Sequence, residues 1–207
     1  METVIKVEEK QLSALMKVLN LKDEKRTGWE LRNIQDPESV ADHSWSTAFL
    51  TLIYAEKEEV DRDKALRIAL IHDLGEAEIG DIAHRAVDAE QEMEASEKSR
   101  LERETVEEIS SNTDEDIIDL WKEYEERKTR EAIFVKDMDM IDMCLQALKY
   151  ESQERYDPEE DNENFQEYDD LDEFFATTEP RLKTDTGKQL FKQIREKYRK
   201  ARNPNPT

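Results

Sequence analysis

The chain has 207 residues, 53 acidic against 31 basic for a formal net charge of -22, with 36% hydrophobic and 41% charged residues. That charge repels a phosphate backbone and argues against a nucleic-acid polymer as partner, yet a small phosphorylated substrate fits a pocket whose field a metal ion and one or two arginines reverse. The apolar residues come in periodic blocks, which predicts one folded domain over residues 1–207 with a highly charged surface, not disorder.

Four glycines, five prolines and no sustained strand-type alternation predict an all-α chain, a helical bundle with helices at about 7–20, 39–58, 62–74, 89–111, 114–127, 130–151 and 185–201. The opening METVIKVEEKQLSALMKVLN has no apolar run of signal-peptide length. No later segment nears the roughly 20 apolar residues of a membrane span, so a soluble, cytoplasmic protein is expected. Ser39 of PES is the expected N-cap of the second helix, which sets Trp45, Phe49, Leu52 and Ile53 on one side and His43, Thr47, Leu50 and Tyr54 on another. Two partly apolar faces predict a central helix.

In the third helix Leu66, Ala69 and Leu70 share a face with Asp73, while Ala65, Ile68 and Ala69 lie beneath His72. The helix at 130–151 is apolar almost all round, with Phe134, Met138, Ile141, Leu145 and Leu148 as its cleanest stripe. It carries the single cysteine, Cys144, which excludes an intramolecular disulfide or a cysteine-based zinc site and suits a reducing interior. The acidic segment at about 151–174 is expected to be a solvated loop with a short turn near Asp170 to Phe175.

Adjacent His72 and Asp73 end an apolar helix, and a carboxylate in such a site costs several kcal/mol unless it is paired or bound to a cation. Taken alone, a histidine is most often a satisfied core or surface residue and an HD dipeptide is a weak signal. The context strengthens it: a histidine about thirty residues upstream on another internal helix, and aspartates on a later buried one. A divalent ion held by two imidazoles and two carboxylates would compensate the charge and leave positions open for water and substrate.

The stretches RTGWELRNIQDPESVADHS, ALRIALIHDLGEAEIGDIA and LWKEYEERKTREAIFVKDMDMIDMCLQALKYE resemble the HD-domain 5'-deoxynucleotidases, especially the branch of the eukaryotic HD domain-containing protein 2, over about residues 10–155. The resemblance implies a helical bundle, a homodimer, and hydrolysis of deoxyribonucleoside 5'-monophosphates to nucleoside and phosphate with a divalent metal. Mixed N/O ligation suits one ion of Co, Mn, Fe, Ni, Zn or Mg, and the expected chemistry is direct water attack on phosphorus. Carried over by motif position, the metal ligands are His43, His72, Asp73 and Asp139. Glu76 and Asp81 match the acidic pair beside the metal, and Arg26 matches an arginine that holds the substrate phosphate. Glu76 would act as general base or proton shuttle one helical turn beyond His72, against the plainer reading of a solvated acid. Asp81 could instead cap the next helix. Arg32 could be a further phosphate fork or a surface charge.

Two departures from the family pattern stand out. The bacterial arginine is followed directly by a tryptophan that favours deoxyribose, whereas Thr27 and Gly28 separate Arg26 from Trp29 here, so Trp29 can cover the sugar only by folding back through Gly28. The residue after GDIA is His84, read as a loop histidine. Periodicity alone would have chosen Asp137 over Asp139 as the fourth ligand; motif spacing from Lys136 selects Asp139. Two rival functions are another HD-type reaction, such as phosphodiester or alarmone hydrolysis, and a non-catalytic acidic interaction protein.

Overall fold

The computed structural model describes residues 7–82, 95–157, 168 and 170–202. Among these residues the chain forms α1 (Glu9–Leu19), α2 (Thr27–Glu30), α3 (Val40–Tyr54), α4 (Arg62–Ile71), α5 (Glu76–Ile79), α6 (Ala95–Asn112), α7 (Asp116–Glu126), α8 (Arg130–Ser152), α9 (Asp172–Thr178) and α10 (Asp185–Arg202). No described residue lies in a named strand; Lys25 and Ser39 form an isolated antiparallel bridge. No described helix is long and apolar enough to cross a membrane.

The helix starts follow from their caps. Ser39 accepts from the Asp42 amide at 3.2 Å while the Asp42 carboxylate accepts from the Ser39 amide at 3.0 Å, a capping box that satisfies two orphan donors of α3. Asp61 caps α4 by accepting the Asp63 and Lys64 amides, and Thr129 caps α8 by accepting the Ala132 amide. Helix α8 is the axis of the molecule: Phe134, Val135, Met138, Ile141, Cys144 and Ala147 are wholly buried, and α3, α4, α7, α9 and α10 pack around it. A smaller cluster of Leu21, Val40, Leu74, Ala77, Val106, Ile109 and Trp121 lies beneath α6 and α7. Ile71, at the end of α4, packs against both clusters, so the turn that follows it is clamped between two cores.

Several expectations need correction. Helix α4 stops at Ile71, so His72 to Leu74 form a turn and Glu76 opens a separate short helix. Helix α3 is central on one side only: His43, Thr47 and Thr51 are buried, but Trp45, Phe49, Leu52 and Ile53 are exposed, as is Leu70 of α4. The acidic segment is not wholly solvated, because Tyr156 and Leu171 are buried and α9 buries Glu173 and Phe175. Gly28 lies inside α2 and is not a flexible link. His84 and the first residues of the helix expected at 89–111 lie outside the described residues.

Candidate metal centre

Three helices, one turn and the segment before α2 deliver the site. Backbone bonds from Arg26 to Glu38 (3.1 Å) and from Val40 to Glu24 (2.9 Å) fasten the segment before α2 to the start of α3, which brings Arg26 beside the helix that carries His43. His72 and Asp73 sit in the turn after α4, Glu76 starts α5, and Asp139 projects from α8. The turn is tight. A side chain at Gly75 would stand 2.7 Å from the Glu102 Cβ of α6, and Gly80 adopts φ +79° where a Cβ would meet the Glu24 carboxylate. Gly75 lets the turn before α5 pass against α6, and Gly80 makes the turn from α5 to Asp81.

His43 places Nδ1 2.7 Å from the Asp142 carboxylate, and His72 places Nδ1 2.8 Å from the Ala69 carbonyl. Both partners are acceptors, so each Nδ1 carries a proton, and in the neutral form that ligates a metal each ring would turn its Nε2 lone pair inward. The two Nε2 atoms lie 3.3 Å apart. Asp73 Oδ2 stands 3.2 Å from His72 Nε2 and 3.6 Å from His43 Nε2, and Asp139 Oδ1 stands 3.2 Å from His43 Nε2. Ligand atoms of His43, His72 and Asp73 all fall within 4.8 Å of one another. Facing lone pairs of two imidazoles and two carboxylates repel unless a cation lies between them, and this mixed nitrogen and oxygen donor set fits a divalent metal.

The electrostatics say the same. Asp139 is held well below the usual carboxylate range despite its burial, chiefly by Lys136 and then by His43. Asp73 is likewise depressed against its burial by His72 and Arg26. His43 is raised against burial and the Arg26 charge because Asp139 and Asp142 draw a proton to it. These shifts hold both carboxylates in the ionised form that a metal ligand needs.

The structure gathers the remaining expected residues beside this cluster, with one exception. Arg26 Nη1 lies 3.3 Å from Asp81 Oδ1, 3.4 Å from Asp73 Oδ2 and 3.9 Å from Glu76 Oε2. Asp81 also accepts the Thr27 amide at 2.8 Å, so it ties the arginine's segment in place and satisfies the first amide of α2. Glu76 is buried, its Oε2 has no hydrogen-bond partner, and burial together with Asp73 and Asp81 raises its pKa well above the ordinary value. Trp29 is the exception. Only 2% exposed, it gives its indole N–H to Glu38 at 2.9 Å and packs against Tyr150 and Phe174. In this position the ring is a core residue, two steps behind His43 through Glu38. Arg32 is neither surface charge nor phosphate fork in this structure; it is buried and paired with Glu173.

Asp137 and Asp139 separate cleanly. Asp137 accepts from the Lys183 amide and from the Thr184 amide and hydroxyl, so it fastens the start of α10. Asp139 faces His43. Sequence reasoning missed four residues around the ligands: Glu38, Asp142, Tyr124 and Lys136. Asp142 was legible as one helical turn beyond Asp139 on the same helix. Lys136 was legible in the same way, as an i,i+3 neighbour of Asp139, whereas Tyr124 touches the site only because α7 packs against α8, which no local pattern reveals.

The HD domain family model matches residues 18–178. The chain is 40% identical over 147 residues to "5'-deoxynucleotidase HDDC2" of Xenopus laevis, covering 70% of this chain and 72% of that protein. It is 34% identical over 163 residues to "5'-deoxynucleotidase YGK1" of Saccharomyces cerevisiae, covering 75% and 72%. Among solved structures, a conserved hypothetical protein from Pyrococcus furiosus superposes with a TM-score of 0.68 at 31% identity, covering 91% of this chain and 99% of that one. With the histidine and aspartate cluster on these helices, the chain belongs to the HD-domain family.

Proposed function

We propose that this chain is a metal-dependent phosphohydrolase that removes the 5'-phosphate from nucleoside monophosphates, with deoxyribonucleotides the preferred class, and that residues 1–207 form a single HD domain. The observation that carries the reading is the convergence of two inward-facing imidazole lone pairs and two carboxylates, with a buried arginine alongside. The named activity of the similar proteins supports the substrate class.

His43, His72, Asp73 and Asp139 would hold one divalent ion, and borderline N/O ligation leaves Co, Mn, Fe, Ni, Zn and Mg as the candidates. When bound, such an ion supplies Lewis-acid polarisation of the phosphoryl group and acidifies water. Arg26 receives the substrate phosphate: it stands beside the ligands, and its planar fork suits phosphate oxygens. Asp81 holds that arginine at the site through its carboxylate and through the Thr27 amide. Glu76, buried with an unpartnered oxygen, accepts the proton of the attacking water. The exposed apolar face of α3 and α4, where Trp45 stacks on Phe49 beside Leu52, Ile53 and Leu70, supports a homodimer closed through this face. The buried lone thiol of Cys144 suits a cytoplasmic location.

The test is phosphate release by purified, metal-analysed protein across matched ribo- and deoxyribonucleoside 5'-monophosphates, with phosphodiester and pyrophosphate nucleotides as competitors. Turnover of the monophosphates in preference to the others is expected. Turnover of a diester alone would replace this reading with the phosphodiesterase one, and no turnover of any of them would favour a non-catalytic acidic protein.

A further inference from the structure

Lys136 entered the sequence reading only as a ruler for locating Asp139, yet the structure puts its ammonium at the site. Lys136 Nζ lies 2.6 Å from Asp139 Oδ2, and the Tyr124 hydroxyl lies 2.6 Å from the same oxygen. The lysine also donates to the tyrosine oxygen at 3.0 Å. The three groups close a triangle. Because the tyrosine oxygen accepts from Lys136, its own proton is directed to Asp139, and one carboxylate oxygen receives two donors. The other oxygen, Oδ1, is the one that faces His43.

Tyr124 does more than hold one carboxylate. Its ring stands edge-on to His72, with centroids 5.3 Å apart and planes inclined at 68°, and the Lys136 ammonium sits 5.2 Å from the centre of the tyrosine ring. Thus a wholly buried tyrosine on α7 touches two members of the ligand set that come from the turn after α4 and from α8. A carboxylate free to rotate can offer a cation one oxygen or two, and the second would occupy a position that water or substrate needs.

We propose that Tyr124 and Lys136 are positioning residues that hold the outer oxygen of Asp139, so that this carboxylate offers only Oδ1 to a divalent cation and leaves the opposite side of the site open. The inference rests on the reading of His43, His72, Asp73 and Asp139 as the ligand set.

The experiment titrates Co²⁺ into metal-depleted full-length protein, followed by calorimetry and by visible absorption of the bound ion. Wild type is expected to take up one equivalent. Tyr124→Phe keeps the ring against His72 but loses the hydroxyl, and Lys136→Met keeps the chain length but loses the charge. Each should bind about 10 to 100-fold more weakly, with a changed Co²⁺ absorption band, while metal-free thermal unfolding and helical signal stay near wild type. Lys136→Arg should recover most of the affinity.

Wild-type affinity and spectrum in both variants would overturn the positioning role while leaving the ligand set standing, and tighter binding by Lys136→Met would also overturn it. Weaker binding accompanied by loss of helical signal in both variants would assign the pair to core packing instead. Failure of wild type to take up Co²⁺, or uptake undiminished in His72→Ala, would overturn the ligand set itself and the proposal with it.

Discussion

His43 and His72 aim their Nε2 atoms at each other across 3.3 Å, each with its other ring nitrogen committed to an acceptor. Two neutral rings so placed repel, and a divalent cation would replace the proton that Asp139 and Asp142 draw to His43, so binding should stabilise the fold. Micromolar Mn²⁺ or Co²⁺ added to metal-depleted protein should raise the thermal midpoint, since a ligand present at 100 times its Kd contributes about 2.7 kcal/mol. A midpoint unmoved by any of the six candidate ions would contradict the site.

The two neighbouring aspartates of α8 should part company. Asp139→Asn is expected to lose metal with little change in the metal-free fold. Asp137→Ala should keep the metal but lose about 2–4 kcal/mol in denaturant unfolding, because it leaves the Lys183 and Thr184 donors at the start of α10 without their acceptor. The opposite pattern would return the ligand role to Asp137.

Glu76 should set the acid limb of kcat/KM. Burial, Asp73 and Asp81 raise its pKa, so the deprotonated base forms above the ordinary carboxylate value of about 4.3. Asp81→Asn removes one raising charge and leaves Arg26 freer to face Glu76; both changes lower the pKa, and the limb should move to lower pH. Glu76→Gln should keep metal content while turnover falls about 10² to 10⁴-fold. The sign for stability is also fixed. A raised folded pKa favours the protonated form, so this group's contribution is present below its unfolded value and is lost as pH rises through the folded one. An acid limb that moves upward in Asp81→Asn would remove Glu76 from the base role.

Trp29 should behave as a core residue. Trp29→Ala is expected to cost about 3–5 kcal/mol in unfolding free energy and to leave the ratio of deoxy to ribo activity unchanged. A ratio altered tens-fold with little loss of stability would restore the tryptophan as a sugar gate. Arg26→Ala, by contrast, should weaken both sugar classes alike.

The apolar face of α3 gives the fifth test. Trp45→Glu with Leu70→Glu should shift the particle mass in light scattering from dimer to monomer without reducing helical content, because both side chains are exposed in the single chain. A monomeric wild type, or a dimer indifferent to these charges, would reject that face.

Much of this was legible in the sequence, and the reasons differ by residue. The long helices announced themselves through periodicity and caps, and Ser39 is the expected N-cap of α3, where it forms a box with Asp42. The grouping of His43, His72, Asp73 and Asp139 was legible from motif spacing; at α8 periodicity favoured Asp137, which instead faces Thr184, because a helix buried on nearly all sides has no informative stripe. The acidic segment misled, since its charge density hid Leu171 and Phe175, whose burial depends on packing among α8, α9 and α10. Trp29 misled for a different reason. Its short helix α2 and its bond to Glu38 arise from tertiary contacts that no local pattern encodes.

The central claim is that His43, His72, Asp73 and Asp139 bind the ion on which phosphate release depends. The most direct measurement follows phosphate release from a deoxyribonucleoside 5'-monophosphate by chelator-treated protein as one divalent metal is restored stepwise, in wild type and in His72→Ala. Activity that is absent without metal, returns with one bound equivalent in wild type and stays absent in a folded His72→Ala protein is the expected result. Full turnover by metal-free wild type, or by metal-free His72→Ala, would contradict it.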